Sequence, residues 1–147
     1  MRKFYHTFAV NADINRVWEF YTDIGHLEVI TPPEMKLKMV RSTTGHKLAE
    51  GTEVWLTGVP VTRSNWHSKI TSLKPYVYVD EMLSGRFKVW KHVHAFRKID
   101  EKTTEVIDEI DFELPYGFLG RIFEGYAYRQ LEQIFEHRKQ ATIKVLV

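Results

Sequence analysis

The spacing of apolar residues changes along this chain, and the change constrains the fold. From residue 35 to residue 114, apolar side chains recur mostly at every second position, which is typical of half-buried β-strands. After Leu114-Pro115 they recur every third or fourth position, which predicts a helix over about residues 117–143. Gly120 and Gly125 weaken its first turns and allow a kink there. Because a long antiparallel sheet must have one face covered, the pattern predicts an α+β domain in which this helix covers the sheet.

The segment before the alternating region predicts one strand and two short helices. Residues 3–10 alternate, and Asn11-Ala12-Asp13 then offers an N-cap for a short amphipathic helix. A second short helix ends at Thr31-Pro32-Pro33, because proline disfavours helical backbone in the residue before it. The six strands predicted after it lie near residues 35–42, 51–59, 62–73, 76–83, 87–99 and 103–114.

Length and composition indicate one domain over residues 1–147. A chain of 147 residues can bury a proper core but is short for two domains. Its 21 Lys and Arg nearly balance 19 Asp and Glu and are scattered, so no basic stripe indicates nucleic-acid binding. No apolar run approaches the ~18 residues of a membrane span. The absence of cysteine excludes disulfides and thiolate chemistry and fits a reducing cytoplasm, where we expect the protein to act.

Two histidines alternate with apolar residues in the segment Trp90-Lys91-His92-Val93-His94-Ala95-Phe96. Because successive side chains on a strand point to opposite faces, Trp90, His92, His94 and Phe96 share a face. Buried imidazoles need hydrogen-bond partners, so a face that mixes them with large aromatic rings suits a roomy interior better than a dry core. The function of the chain is therefore expected to lie in what that interior holds.

Charged residues predict the register of the last hairpin. Pairing Ile99 with Glu105 places Lys91 opposite Glu113, as a cross-strand ion pair on a solvated face. A slip of one residue would turn acidic side chains of the last strand toward the histidines, which is less favourable.

The two hairpin registers together predict a polar cluster on the inner face. At the preceding hairpin Tyr78 is expected opposite His92, with Asp80 diagonal to that histidine. At the last hairpin Asp108 is expected diagonal to His94. The predicted inner face comprises Tyr76, Tyr78, Asp80, Met82, Trp90, His92, His94, Phe96, Asp108, Ile110, Phe112 and Leu114. This mostly apolar, aromatic set around a small polar cluster is the usual composition of a ligand pocket.

A series of short motifs runs along essentially the whole chain. They are Val17-Trp18-Glu19-Phe20, Leu27-Glu28-Val29-Ile30-Thr31-Pro32-Pro33, Gly58-Val59-Pro60, Trp66-His67-Ser68-Lys69-Ile70, Val79-Asp80-Glu81, Gly85 through Phe96, and Asp108 through Gly117. In this order they resemble the START-like, helix-grip superfamily (SRPBCC), and within it the bacterial ligand-binding proteins similar to polyketide cyclases and dehydrases. The resemblance implies a curved seven-stranded antiparallel sheet wrapped around the long C-terminal helix, with a cavity between them. It implies no particular reaction, because carriers, sensors and cyclases share this scaffold.

The first functional hypothesis is binding or transport of a hydrophobic or amphipathic small molecule, such as a lipid or an aromatic or polyketide-like compound. It needs neither catalysis nor a cofactor. No metal site is expected, because nothing in the sequence determines a third ligand beside His-x-His and the surroundings are aromatic. The candidate ligand-binding residues are Trp66, Tyr78, Asp80, Trp90, His92, His94, Phe96, Asp108, Ile110, Phe112 and Phe123.

Two alternatives stay open. In one, the protein is an enzyme of cyclase/dehydrase type, and a pocket histidine oriented by an aspartate transfers protons. In the other, the cavity is vestigial and the valines of the outer face form a homodimer interface; these are Val77, Val79, Val89 and Val93. The side chains expected to face water include His67 and one face of the final helix, with Arg121, Arg129, Glu132, Glu136 and Arg138.

Overall fold

The computed structural model describes residues 1–58 and 64–147. Its strands are β1 (Arg2–Val10), β2 (Lys38–Ser42), β3 (Glu53–Gly58), β4 (Ser64–Lys74), β5 (Val77–Ser84), β6 (Val89–Asp100) and β7 (Thr103–Glu113). Its helices are α1 (Ile14–Tyr21), α2 (Gly25–Ile30), a short 3-10 turn (Pro33–Met35), α3 (Gly117–Ile122) and α4 (Glu124–Leu146). This order confirms the predicted one. The predicted strand ends at residue 59 and at residues 62–63 lie outside the described residues.

The strands form one curved antiparallel sheet in the order β1-β7-β6-β5-β4-β3-β2. Each strand from β2 to β7 pairs with its neighbour in sequence, and β1 pairs with β7. Helix α4 packs against this sheet, as the helix-grip fold requires. Across residues 1–58 and 64–147, no helix combines the length and the apolar character that crossing a membrane demands.

The apolar core is divided into two clusters. One lies where α4 covers β1 and β7, and it contains Phe4, Ile110, Phe112, Leu131 and Phe135. The larger one lies beneath α1 and α2 and reaches the end of α4, with members that include Phe8, Val17, Phe20, Phe96 and Leu146. Helix α4 therefore closes directly on β1 and β7, whereas a cavity remains beside part of strands β3 to β6.

The local signals that bound the first two helices are confirmed. The carboxylate of Asp13 accepts hydrogen bonds from the backbone N–H groups of Asn15 and Arg16, both at 3.1 Å, and so caps α1. Helix α2 ends at Ile30, and Thr31 before Pro32 has the extended backbone that a following proline favours.

The final helical region has a break where one helix of residues 117–143 was predicted. Helices α3 and α4 meet at Phe123, whose N–H bonds to the carbonyl of Gly120 at 3.1 Å. A Cβ atom on Gly120 would lie 2.2 Å from the carbonyl oxygen of Pro115. The missing side chain thus lets α3 fold tightly onto the end of β7, which prevents it from continuing the axis of α4.

The predicted registers are wrong by two residues at both hairpins. In β6–β7, Lys91 faces Asp111 instead of Glu113. The strands pair as far as Asp100 and Thr103, and a bulge between Lys98 and Asp100 then shifts the ladder by one residue. Without the bulge, the two-residue turn would turn the histidines to the outer face.

The same even offset holds for β5–β6. Tyr78 faces His94 and Asp80 faces His92, whereas Tyr78 was expected opposite His92. Because side-chain direction has a period of two residues, an even shift changes the partners and keeps the face. His92 and His94 therefore remain on the inner face, as predicted, and are buried.

Candidate functional site

A cavity of about 640 Å³ lies between the middle strands and the helices. Strands β3 to β6 form one side of it, and α2 and α4 form most of the other. Its wall is mainly apolar, and its volume falls within the range of about 300–1,000 Å³ found for small-molecule sites. The space between sheet and helices is thus not filled by the side chains of the described residues.

Seven of the eleven predicted site residues line this cavity: Trp66, Tyr78, Asp80, Trp90, His92, His94 and Phe123. The other four do not. Phe96 packs against Trp18 and Tyr21 in the larger core cluster, while Ile110 and Phe112 are fully buried beneath α4. Asp108 is buried beside the histidines. The inner face of β7 was predicted correctly, but α4 lies directly on it and leaves no space there.

Four polar residues of the inner face form one hydrogen-bonded set, which we call the Asp–His cluster: Asp80, His92, His94 and Asp108. Nε2–H of His92 donates to Oδ1 of Asp108 at 2.7 Å. Nε2–H of His94 donates to Oδ2 of Asp80 at 2.5 Å. Each bond runs diagonally across the sheet, since the directly opposed pairs are Asp80 with His92 and Asp108 with His94. The predicted polar cluster therefore exists, with its diagonal partners exchanged.

Burial and hydrogen bonding together determine the charges in this cluster. Burial, reinforced by the charge of neighbouring His92, lowers the pKa of His94 to about 4. Burial raises the pKa of Asp108, but the hydrogen bond and charge of His92 outweigh it and lower this pKa to about 2. Burial also raises the pKa of Asp80, but the hydrogen bond from His94 and the charges of His94, His92 and Arg138 together outweigh it and lower this pKa. At neutral pH the aspartates are therefore ionised acceptors and His94 is neutral.

One atom of the cluster has no partner. Nε2 of His94 carries the ring proton, which it donates in the hydrogen bond to Asp80. Nδ1 of the neutral ring is therefore an acceptor. This buried atom makes no hydrogen bond with any described residue, and Oδ1 of Asp108 lies 3.7 Å from it. His94 can thus accept a hydrogen bond or a proton.

The cluster is arranged for hydrogen bonding more than for chelation. Asp80, His92 and His94 offer ligand atoms within 4.8 Å of one another, as a metal site would. The two imidazole rings, however, stack with centroids 3.5 Å apart and an interplanar angle of 25°. Since the lone pair of an imidazole lies in its ring plane, rings stacked in this way do not direct their nitrogens at a common ion. The Asp–His cluster therefore fits a polar ligand group better than a cation.

Arg138 lies in the interior, so the expectation that it faces water was wrong. It is only 9% exposed and lines the cavity, with its guanidinium carbon 4.7 Å from the ring centroid of Phe135. The buried side chains of α4 recur at helical spacing, and Arg138 is one of them: Leu131, Phe135, Arg138, Thr142 and Leu146. This spacing was visible in the sequence, but the charge of the side chain argued for the opposite face.

Two aromatic side chains lie both on the surface and on the cavity wall. Phe123 and Tyr126, at the junction of α3 and α4, are 59% and 60% exposed. They mark one opening of the cavity. Only Phe123 was among the predicted site residues. The contributions of α2 and β3, such as Leu27 and Leu56, were missed because local periodicity does not show which helix faces which strand.

His67 lies outside the cavity, as predicted. It stacks on Trp55 with ring centroids 4.2 Å apart, and its Nε2 lies 2.8 Å from Oε1 of Glu53. Its side chain is 22% exposed, so it belongs to a paired cluster on the outer face more than to open solvent.

Solved structures with the same fold are numerous, and their sequences are distant. A START superfamily protein from Mycobacterium smegmatis has a TM-score of 0.75 at 13% identity, over 98% of this chain and 96% of that one. The Zhui aromatase/cyclase from Streptomyces sp. R1128 has a TM-score of 0.69 at 20% identity, over 99% and 90%. Truncated norcoclaurine synthase from Thalictrum flavum has a TM-score of 0.73 at 14% identity, over 99% and 93%. These likenesses establish the fold alone.

A family model gives a closer assignment. No curated protein matches the chain significantly. Residues 10–136, however, match the model described as polyketide cyclase / dehydrase and lipid transport. This match spans most of the chain, including α2, the middle strands and the Asp–His cluster. Together with the seven-stranded sheet closed by α4, it shows that the chain belongs to the polyketide cyclase/dehydrase and lipid transport family, in the START-like superfamily.

Proposed function

We propose that this protein binds a hydrophobic or amphipathic small molecule in the cavity between the sheet and helices α2 and α4. The observation that carries the proposal is the combination of about 640 Å³ of space, a mainly apolar wall and one small polar cluster. Burial of apolar ligand surface supplies affinity at roughly 25 cal/mol per Å² before the costs of association. A few polar groups then orient the ligand.

The aromatic part of the wall supports a ligand with a large apolar body. Trp66 and Trp90 meet edge to face with ring centroids 5.2 Å apart, and Phe87 lies 4.8 Å from Trp90. Such rigid rings provide contact area with little loss of side-chain entropy. Polar side chains that line the cavity, among them His94 and Arg138, would orient the polar end of the ligand.

The test begins with the purified protein. Solvent extraction and native mass spectrometry should reveal a co-purified hydrophobic molecule, and the emptied protein should bind the neutral dye Nile red. Ser68→Phe places a ring in the cavity wall and should weaken dye binding at least tenfold. Thr71→Phe, on an exposed position of the same strand, is the matched control and should leave dye binding unchanged. Dye binding that is absent, or equally affected by both variants, would contradict the proposal.

A second candidate function is catalysis of cyclase or dehydrase type. It is favoured by the neutral imidazole of His94, which lines the cavity, is oriented by Asp80 and has a free Nδ1. A general base requires an oriented, neutral imidazole of this kind, and the buried Nδ1 must also come within hydrogen-bond reach of a substrate proton. If the protein is an enzyme, the co-purified molecule should change chemically on incubation, and His94→Ala should stop the change while Nile red affinity persists. Loss of affinity alone would favour the carrier.

The remaining expectations stay predictions. A cytoplasmic location is one of them. Another is a homodimer formed through the outer-face valines, which sedimentation velocity of the purified protein would detect. A purely structural interaction domain has less support, because the space between sheet and helices is open.

A further inference from the structure

Arg138 is a buried cation to which the described residues supply no close counter-ion. Its side chain is more than nine-tenths buried and lines the cavity. Within residues 1–58 and 64–147 it forms no hydrogen bond, and no carboxylate lies within 4.0 Å of it. Arginine is almost never buried in this way without a partner, because its charge loses hydration that nothing replaces. The guanidinium thus has no hydrogen-bond partner among the described residues, and we expect a bound molecule to supply one.

The nearby aspartates do not fill that role. The charge of Arg138 helps to lower the pKa of both Asp80 and Asp108, so the guanidinium lies in the same electrostatic environment. Each aspartate already accepts an N–H from a histidine. Arg138 therefore offsets part of their charge from a distance, and no described residue accepts a hydrogen bond from its N–H groups.

The position of the guanidinium favours a planar anion. The guanidinium carbon lies over the ring of Phe135, 4.7 Å from its centroid, in a cation–π contact that uses none of the N–H groups as hydrogen-bond donors to an oxygen. A carboxylate matches the edge of a guanidinium with two parallel hydrogen bonds. The lining stretch of α4 runs from Tyr126 to Arg138, or ~18 Å at ~1.5 Å per residue. An extended apolar chain can occupy this length between the exposed aromatic residues and the cation.

We infer that the ligand is a hydrophobic molecule bearing a carboxylate, which Arg138 binds while the apolar body lies along α4 between β3–β6 and α2. This inference rests on the proposed binding function and adds the chemical class of the ligand. It assigns a specificity-determining role to a residue of the final helix.

Two probes with the same alkyl chain and different end groups test the inference. Isothermal titration at neutral pH should show that dodecanoate binds at least tenfold more tightly than dodecan-1-ol. Arg138→Met keeps an apolar stem of similar length and removes the charge, so it should weaken dodecanoate binding tenfold to a hundredfold, the range expected when a hydrogen-bonded charge pair is lost. The affinity of Arg138→Met for dodecan-1-ol should stay within about threefold of the wild-type value, so the variant should no longer prefer dodecanoate.

Control variants separate recognition from folding. Arg129→Met removes the same charge from an exposed position of α4 and should alter neither affinity. Arg138→Lys keeps the positive charge but loses the planar guanidinium group that can donate two parallel hydrogen bonds. It should therefore retain only part of the preference for dodecanoate over dodecan-1-ol. It also provides the measurement if Arg138→Met does not fold, as circular dichroism would show.

The outcomes distinguish this inference from the proposed function. If the wild-type protein binds both probes equally, or Arg138→Met retains the preference, Arg138 only offsets the charge of the Asp–His cluster and the inference is overturned. Binding of small molecules in the cavity would then still stand. If the protein binds neither probe nor Nile red, both proposals fail.

Discussion

His92 and His94 stack with ring centroids 3.5 Å apart, and each donates to the aspartate that lies directly opposite the other histidine. The two strand neighbours on either side of β6 are thus joined through its side chains as well as through its backbone. This crossed pairing makes the cluster part of the structure of the sheet and part of the cavity wall, and its consequences can be measured.

Removal of the buried acceptor should strongly destabilise the fold. Asp108 and His92 are each only 4% exposed in their side chains, so Asp108→Ala leaves a buried N–H group unpaired. We expect a loss of about 3 kcal/mol in the free energy of unfolding, measured with urea. Glu105→Ala removes a carboxylate that pairs with Arg97 at the surface and should have little effect. Equal effects of the two variants would contradict the structural role of the cluster.

The free energy of unfolding should fall as the pH is lowered, over the pH range in which His94 titrates. Burial lowers its pKa from 6.5 to about 4, so the unfolded chain binds a proton here that the folded protein resists. The contribution is complete above pH 6.5 and is lost progressively as the pH falls toward 4, by roughly 3 kcal/mol in total. Below pH 3.8, Asp108 adds a second loss, since its pKa is about 2 in the folded state.

Comparison of variants isolates the histidine contribution. Unfolding free energies of the wild-type protein and His94→Gln, measured from pH 7 to pH 4, should converge as the pH falls. Thr71→Phe, at an exposed position without a titratable group, should run parallel to the wild type. Parallel curves for His94→Gln would show that this residue does not titrate as its burial requires.

Two glycines at the α3–α4 junction should respond in opposite directions to the same substitution. Gly120→Ala forces a Cβ against the carbonyl of Pro115 and should destabilise the protein by about 1–3 kcal/mol. Gly125→Ala meets only the flexible end of Arg129 at 3.8 Å, so it should stabilise α4 by about 0.5 kcal/mol. Thermal melts followed by circular dichroism measure both changes. A Gly120→Ala variant as stable as the wild type would show that α3 does not pack as described.

Tryptophan fluorescence should report ligand binding from two of the four positions. Trp66 and Trp90 line the cavity, whereas Trp18 and Trp55 do not. We expect Nile red or dodecanoate to change the emission of the wild-type protein and of Trp55→Phe to a similar extent. The change should diminish in Trp66→Phe and in Trp90→Phe. A signal that depends on Trp55 instead would place the ligand on the outer face of the sheet.

The errors in register show a limit of hydrophobic patterning. The alternation of side chains along the strands predicted that His92 and Asp108 share a face. A register shift of two residues, however, keeps every side chain on its face and changes every cross-strand partner. The deciding feature was the bulge between Lys98 and Asp100, which depends on how the turn closes. Arg138 shows a related limit, since its helical phase placed it with Phe135 and its charge argued against burial.

Periodicity and composition over a few residues are enough to predict the order of the elements, the face on which the histidines lie and the presence of acidic partners for them. Only the packed fold shows which aspartate each histidine binds, that α4 fills the space over β7 while leaving it open over β3–β6, and that Arg138 is enclosed. Those outcomes depend on the packing of segments far apart in the chain. Whether a region between the helices and the sheet becomes filled core or open cavity depends on how the helices pack against the sheet.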